Sequence, residues 1–154
     1  MAEHNTEVIG TLNDLIETCK DGEQGFRAAA EAAGKEWDPE MRTLFNLYAQ
    51  QRARFAAELQ NEVLHRGGDP TNSGHVTAAF HRGWTNLKRA VSGHDEASIV
   101  AECEAAEGSA MRNYENALKT TLPADLMEIV ETQYEEIRLA HERVQRLERA
   151  VKAR

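Results

Sequence analysis

Proline and glycine are scarce in this 154-residue chain, at three and ten residues, so long uninterrupted helices are allowed. No apolar run approaches the roughly 20 residues of a membrane-spanning helix, and the polar first residues lack the apolar core of a signal peptide. A Gly-rich phosphate loop, a Cys-x-x-Cys pair and a serine-nucleophile motif are missing too. The sequence therefore predicts a helical cytoplasmic protein without a familiar catalytic motif.

Basic residues are in the minority, with 18 Lys and Arg against 26 Asp and Glu, which gives a net charge of −8. Because phosphate backbones and anionic lipids bind to basic faces, this balance argues against nucleic acid and membranes as partners. The length and the 41% hydrophobic content are typical of one soluble globular domain covering residues 1–154. The two cysteines, Cys19 and Cys103, fall on apolar helix faces, where we expect free buried thiols.

Apolar residues recur at spacings of three and four over four long segments, which predicts four amphipathic helices. The first covers about residues 7–32, and the second begins at Asp38-Pro39 and ends at Gly67-Gly68. The third covers about residues 95–119, and the fourth begins at Pro123 and continues almost to the C-terminus. The expected inward residues of the second helix are Met41, Leu44, Tyr48, Gln51, Phe55, Leu59 and Val63. Those of the fourth are Leu126, Val130, Tyr134, Ile137, His141, Val144, Leu147 and Val151.

The segment between the second and third helices indicates the topology. A turn cluster at residues 70–74 precedes a shorter amphipathic stretch from Val76 to Val91, which predicts a fifth helix long enough to return along most of the bundle. The third helix would then start at the end where the second one started. The predicted fold is all-α, a ferritin-like four-helix bundle with a long crossover that contains a short fifth helix.

The midpoints of four such helices fall at one level of the bundle, at about residues 20, 52, 107 and 138. We therefore expect a buried polar cluster in the middle of the bundle. Its predicted members are Cys19, Gln51, Arg54, Glu107 and His141.

This central set is similar to a depleted di-iron site. In ferritin-like di-iron proteins the first and third helices each supply one Glu, and the second and fourth each supply Glu-x-x-His. Glu107, followed by Tyr114 seven residues later, matches the third-helix Glu, whereas Cys19, followed by Phe26, stands where the first-helix Glu would be. The matching stretches of the other two helices are Gln51-Arg52-Ala53-Arg54 and Arg138-Leu139-Ala140-His141, of which only His141 retains the ligand type.

The whole chain resembles an uncharacterised bacterial family of ferritin-like four-helix bundles, a domain of unknown function. The resemblance extends from about Leu12 to Leu147 and is clearest in five stretches, at residues 12–19, 50–55, 81–88, 101–104 and 133–134. It implies a ferritin-like fold and suggests stress-response or storage-associated roles. It implies no settled activity, because function does not follow from fold.

Two readings of the central residues compete. In the first, Arg54 pairs with Glu107, and His141 and Gln51 complete the hydrogen bonds, because an unpaired buried charge is expensive. In the second, Cys19, Glu107 and His141 bind one metal ion, since sulfur, oxygen and nitrogen donors together suit zinc. The first reading predicts that the protein binds no cofactor. The literal Glu-x-x-His at Glu62–His65 lies about 15 Å from the middle and makes a poor candidate.

These readings correspond to different functions. The first hypothesis is a non-enzymatic bundle that acts by association, as a homo-oligomer with a dimer as the first expectation, or with another protein. The second is a metal-dependent oxidase or peroxide-handling enzyme with a reduced ligand set. A third is a thiol sensor that uses Cys19.

Overall fold

The computed structural model describes residues 2–32, 39–70 and 96–153, and within these ranges it contains four helices and no strand. Helix α1 is Ala2–Ala32, α2 is Pro39–His65, α3 is Glu96–Leu118 and α4 is Ala124–Lys152. The predicted all-helical class is confirmed, and three of the four helices match the predicted bounds closely, while α1 begins five residues earlier than predicted. Asp38 and Asp95, which begin the predicted second and third helices, and the predicted crossover helix at residues 76–91 lie outside the described residues.

The end of α2 follows from its two glycines. Gly67 has a φ of 78°, in the left-handed region that favours glycine. The Gly67 N–H donates to the Leu64 carbonyl, and the Gly68 N–H donates to the Val63 carbonyl at 3.0 Å. This pair of bonds is the Schellman arrangement, which satisfies the last carbonyls of a helix and turns the chain away from it.

The core of the bundle consists of two apolar clusters, one at each end. The upper cluster combines the end of α1 with the starts of α2 and α3 and with the second half of α4; it includes Phe26, Ala29, Met41, Phe45, Ile99, Val100 and Val144. The lower cluster combines the start of α1 with the ends of α2 and α3 and with the first half of α4; it includes Val8, Leu12, Leu59, Val63, Ala117, Leu126 and Val130.

The clusters fix the directions of the helices. The starts of α2 and α3 meet in the upper cluster and their ends meet in the lower one, so these two helices are parallel to each other. By the same comparison, α1 and α4 are antiparallel to both. Helix α1 packs extensively on α2, α3 packs on α4, and α1 also contacts α3, whereas α2 and α4 make the sparsest contact of the neighbouring pairs. Consequently, α2 ends at one end of the bundle and α3 starts at the other.

The described helices are all amphipathic rather than apolar throughout. None of them is both long enough and apolar enough to cross a membrane.

Candidate functional site at the centre of the bundle

An ion pair between Arg52 of α2 and Glu107 of α3 lies between the two apolar clusters. Arg52 Nη1 donates to Glu107 Oε1 at 2.5 Å and Nη2 donates to Oε2 at 2.6 Å, so the guanidinium and the carboxylate meet through two parallel bonds. The side chains are 1% and 0% exposed. Such bidentate pairs combine charge with fixed geometry, and this one crosses the bundle diagonally and joins the two parallel helices.

The surroundings of Arg52 keep it charged. Burial alone would lower the pKa of Arg52, but the Glu107 carboxylate outweighs that effect and raises the pKa above its ordinary value. The third guanidinium nitrogen, Nε, donates to Gln51 Oε1 at 3.2 Å, which satisfies a further donor. A buried pair of this kind tolerates the loss of neither partner, because the remaining charge would stay unpaired in the core.

Helix α1 provides the space for the guanidinium. A Cβ atom on Gly22 would lie 3.3 Å from Arg52 Nη1 and 3.4 Å from Arg52 Cγ, closer than most side-chain contacts allow. The missing side chain of Gly22 therefore lets Arg52 pass close to the α1 backbone. One turn further on, the Phe26 ring lies 5.4 Å from Arg52 Cζ, within the range of a cation–π contact.

The expectation that Arg54 pairs with Glu107 is wrong, because Arg52 makes that contact. Arg54 is 57% exposed and makes weak ion pairs on the surface, at 3.7 Å to Glu58 and 3.5 Å to Glu136. The reason is helical geometry: Arg52 follows Tyr48 by four residues and precedes Phe55 by three, whereas Arg54 is one residue from Phe55 and is rotated about 100° from it. Gln51 is half-buried beside Arg52 and contacts it rather than filling the centre.

A second polar arrangement lies below the ion pair and begins at Cys19, which is fully buried. Cys19 Sγ lies 3.1 Å from the Tyr114 hydroxyl, and that hydroxyl donates to Gln133 Oε1 at 2.7 Å. Gln133 Nε2 in turn donates to Glu58 Oε2 at 3.1 Å and to the Phe55 carbonyl at 3.4 Å. The chain of hydrogen bonds therefore extends from a buried thiol to a half-exposed carboxylate.

The partners of Gln133 fix the direction of this chain. Both groups that its amide nitrogen contacts are acceptors, so the nitrogen donates and the amide oxygen accepts. Tyr114 has one hydroxyl proton, which it donates to that oxygen, and it can only accept from Cys19. Cys19 is consequently a protonated thiol that donates its S–H.

Burial disfavours the charged forms of both thiols and of the Tyr114 phenol. It raises the pKa of Cys19 from its ordinary value of 9.0 to about 11. It also raises the pKa of Cys103 and the pKa of Tyr114 well above their ordinary values. Both cysteines are free and buried, as the sequence predicted. A nucleophilic or redox-sensing cysteine needs thiolate character and access, and Cys19 has neither.

His141, the remaining predicted member, does not reach the centre. Its Nε2 lies 2.9 Å from Glu104 Oε1, in a pair at the edge of the α3–α4 contact where the His141 side chain is 15% exposed. The inward position of α4 beside it is Ala140, which is 2% exposed. The structure thus brings Cys19 and Glu107 into the buried middle of the bundle but leaves Gln51, Arg54 and His141 nearer the surface.

The residues at the centre do not fit a metal ion. Both carboxylate oxygens of Glu107 are bonded to a guanidinium, the Cys19 sulfur carries its proton, and His141 is bonded to Glu104. Within residues 2–32, 39–70 and 96–153, no three His, Cys, Asp or Glu side chains form a group that could hold a metal. Cys19, Glu107 and His141 therefore do not form the single metal site that the alternative reading predicted.

The literal Glu-x-x-His motif of α2 has other contacts. Glu62 Oε2 accepts from Arg66 Nη1 at 2.7 Å, and Arg66 Nη2 continues to Asp125 Oδ2 of α4 at 3.2 Å. His65 is exposed. These residues connect the lower ends of α2 and α4.

Sequence reasoning missed Gln133, which is 1% exposed and links α4 to both Tyr114 and Glu58. Its position offered a signal, since it lies three residues after Val130 and four before Ile137, both of which are core residues. Tyr134, chosen in its place, is half-buried and donates its hydroxyl proton to Glu115 at 2.7 Å.

Comparison with known families gives one match. The profile of the family described as a domain of unknown function (DUF2383) matches residues 7–120, well over half of the chain, and the chain therefore belongs to that family. The match covers α1, α2 and α3, including both partners of the central ion pair. A comparison with curated proteins finds no match.

Proposed function

We propose that this member of the DUF2383 family is a non-enzymatic, ferritin-like bundle that acts by association with copies of itself, and whose central position is occupied by an arginine–glutamate pair. The observation that carries the proposal is the Arg52–Glu107 pair, in which a guanidinium fills the space and the charge role that a bound cation would have. The proposal has three parts, namely the topology, the centre and the association.

The ferritin-like topology is supported by the parallel directions of α2 and α3. The connection between them has to pass from one end of the bundle to the other, as in bundles with one long crossover and unlike plain up-down-up-down bundles. We include the short fifth helix predicted at residues 76–91 in this proposal. Its amphipathic pattern and its length would let it return along the bundle while it buries an apolar face.

The non-enzymatic part is supported by the chemistry of the donor atoms. A metal-dependent oxidase would need Glu107 to exchange a buried guanidinium for a metal ion and would leave Arg52 charged without a partner. Unpaired charge in a core is strongly unfavourable, on the order of 3–5 kcal/mol when one member of a buried pair is removed. Among residues 2–32, 39–70 and 96–153, no contact favours the alternative of a peroxide-handling enzyme with a reduced ligand set.

Association suits long amphipathic helices, and symmetric dimers are the commonest homo-oligomers. The stress-related role that the family resemblance suggests is compatible with it but is supported by no contact described above.

The test is metal analysis of protein purified without chelator, with Arg52→Met and Arg54→Met variants in parallel. We expect substoichiometric iron, manganese and zinc in the wild type, and an unfolding midpoint that neither these ions nor a chelator shifts. A ligand that binds only the folded state would raise that midpoint. Stoichiometric metal that disappears in Glu107→Ala and His141→Ala would overturn the proposal.

A further inference from the structure

Helices α2 and α4 are bridged by long polar side chains instead of being packed together. The bridges are Arg66 to Asp125 at the lower end, Arg54 to Glu136 near the middle and Arg143 to Glu40 at the upper end. Between these bridges two shallow cavities of about 370 and 260 Å³ lie side by side. We call this depression the α2–α4 groove; its principal lining residues are Leu44, Leu47, Tyr48, Gln51, Leu139 and Ala140.

The groove carries two of the three most exposed large apolar side chains of the described residues. These two, Leu47 at 54% and Leu139 at 52%, line the groove from opposite sides. Leu44, half-buried, lines it beside them. Contiguous apolar surface with a polar rim is characteristic of protein–protein contacts, whereas single exposed leucines are ordinary.

The chain leaves α2 toward α1 rather than toward the groove. Asn5 Nδ2 donates to the Arg66 carbonyl at 3.3 Å, and Asn13 Nδ2 donates to the Asp69 carbonyl at 3.1 Å. Gly68 lies against the Ile9 side chain of α1. Up to Pro70, therefore, the connection follows α1, while the groove lies on the α4 side of α2.

The charge of the rim suits a second copy of this chain. Whole molecules with a net charge of −8 repel each other, and the repulsion is weakest where a face is locally balanced. The rim of the groove has three arginines and two glutamates, which are Arg54, Arg143, Arg146, Glu136 and Glu142. Arg54 pairs with Glu136 and Arg143 with Glu40 within the chain, so the face is close to neutral. In a twofold contact each surface meets itself, and a nearly neutral face can meet its copy without the repulsion between the whole molecules.

We propose that the α2–α4 groove is the twofold docking surface for a second copy of this chain, with Leu47 and Leu139 in the apolar centre of the contact. This inference rests on the proposed function, association of like chains, and specifies the face that is used. The central leucines exclude water from the contact, and the ion-paired rim surrounds them.

The test measures the mass of the full chain in solution by sedimentation equilibrium, from micromolar to submillimolar concentration. The variants are Leu47→Glu and Leu139→Glu, and the matched control is Leu64→Glu, which alters the third exposed leucine, 59% exposed and outside both cavities. All three side chains are exposed, so unchanged helicity and cooperative unfolding would show that each variant folds.

We expect a wild-type dimer, an unchanged dimer for Leu64→Glu, and dimerisation weakened on the order of 100-fold by either groove variant, because each glutamate would be buried twice in a symmetric contact. A wild-type dimer that both groove variants retain would overturn the choice of face and leave the association intact. A wild-type monomer throughout the range would overturn both this inference and the proposed self-association. Loss of the dimer in Leu64→Glu as well would also overturn the assignment to the groove.

Discussion

Arg52 and Glu107 meet through two hydrogen bonds of 2.5 and 2.6 Å between the parallel helices α2 and α3, and neither side chain is reached by solvent. This pair is the only ion pair shown among the described residues in which both side chains are fully buried, and it separates the two apolar clusters. A buried pair of this kind adds little to stability relative to a well-packed apolar substitute, yet it penalises any arrangement that leaves one charge alone. We therefore interpret it as a device that fixes the relative positions of α2 and α3.

The first prediction concerns the two members of this pair. Arg52→Met should lower the free energy of unfolding by about 3–5 kcal/mol, because it leaves the Glu107 carboxylate buried and unpaired. Adding Glu107→Leu should recover much of that loss. Arg54→Met, two residues away on the exposed face, should change stability by less than about 1 kcal/mol. Urea unfolding of the wild type, of these three variants and of Glu107→Leu alone measures these differences.

The double-mutant cycle separates this interpretation from a merely crowded site. A direct pair requires strong coupling between the two substitutions, since either one alone removes the same interaction. Losses that simply add in the double variant would contradict a direct pair. A large loss in Arg54→Met would contradict the assignment of the buried arginine.

The second prediction concerns the close approach of α1 to Arg52. In an ordinary helix interior Gly→Ala stabilises by up to about 1 kcal/mol. At Gly22 we expect destabilisation instead, because the new methyl group would press on a guanidinium that two bonds to Glu107 hold in place. Gly108→Ala in α3 is the matched control, since its nearest neighbour would be the end of the flexible Arg112 side chain at 3.6 Å.

The same substitution in a protein without the ion pair tests whether the guanidinium is the cause. In the Arg52→Met, Glu107→Leu protein the guanidinium is gone, and Gly22→Ala should become neutral or stabilising when unfolding is followed by circular dichroism. The same loss in both backgrounds would show that Gly22 is needed for another reason.

The helices were predictable because they depend on local chemistry. Apolar spacings of three and four locate the helices, and Gly67-Gly68 and Pro123 mark boundaries that the structure confirms to within two residues. Local chemistry does not decide which of two adjacent polar residues on one helix faces the core. Along α2 both Gln51 and Arg52 continue the spacing from Tyr48, and hydropathy does not separate two polar residues.

The errors at the centre share a physical cause. Arg54 and His141 were selected because they lie within about one turn of the helix midpoints, whereas helical rotation places Arg52 and Ala140 inward at those levels. The prediction placed Tyr134 rather than Gln133 in the core, because an aromatic ring is the more usual core residue. A polar residue is buried here when a partner on another helix satisfies it, and a single sequence does not show where that partner lies.

The third prediction concerns stability at high pH. The pKa of Cys19 is raised from 9.0 to about 11 in the folded protein, so above pH 9 the unfolded chain loses the thiol proton while the folded chain keeps it. Stability is then fully present below pH 9 and falls as the pH rises toward 11, by an amount on the order of 2–3 kcal/mol from this thiol. Cys103 and Tyr114, whose pKa values are also raised, act in the same direction.

Urea unfolding between pH 8 and 11 measures this effect. Cys19→Ala should have a shallower decline with pH than the wild type, whatever its stability at pH 8. In the same experiment a small disulfide reagent at pH 8 should leave both native cysteines unmodified and should modify both after unfolding. Rapid modification of one thiol in the native protein would contradict the burial of Cys19 and reopen the sensor hypothesis.

The fourth prediction tests the parallel directions of α2 and α3. Because α2 has 27 residues and is roughly 40 Å long, the connection between the two helices has to cover most of that length. Replacing residues 71–95 by a Gly-Ser linker of about five residues, which reaches at most about 20 Å, should prevent the native bundle from forming. A linker of about 15 residues, which reaches about 50 Å, should permit it.

Thermal unfolding and the oligomeric state of the two linker variants distinguish the topologies. If α2 and α3 were antiparallel neighbours, a short turn would be enough, and the five-residue variant would unfold cooperatively with the wild-type oligomeric state. That result would remove the argument for a crossover. With parallel helices, only the longer linker can keep Arg52 and Glu107 at the same level, so cooperative unfolding should be restored in that variant and lost again when Arg52→Met is added to it.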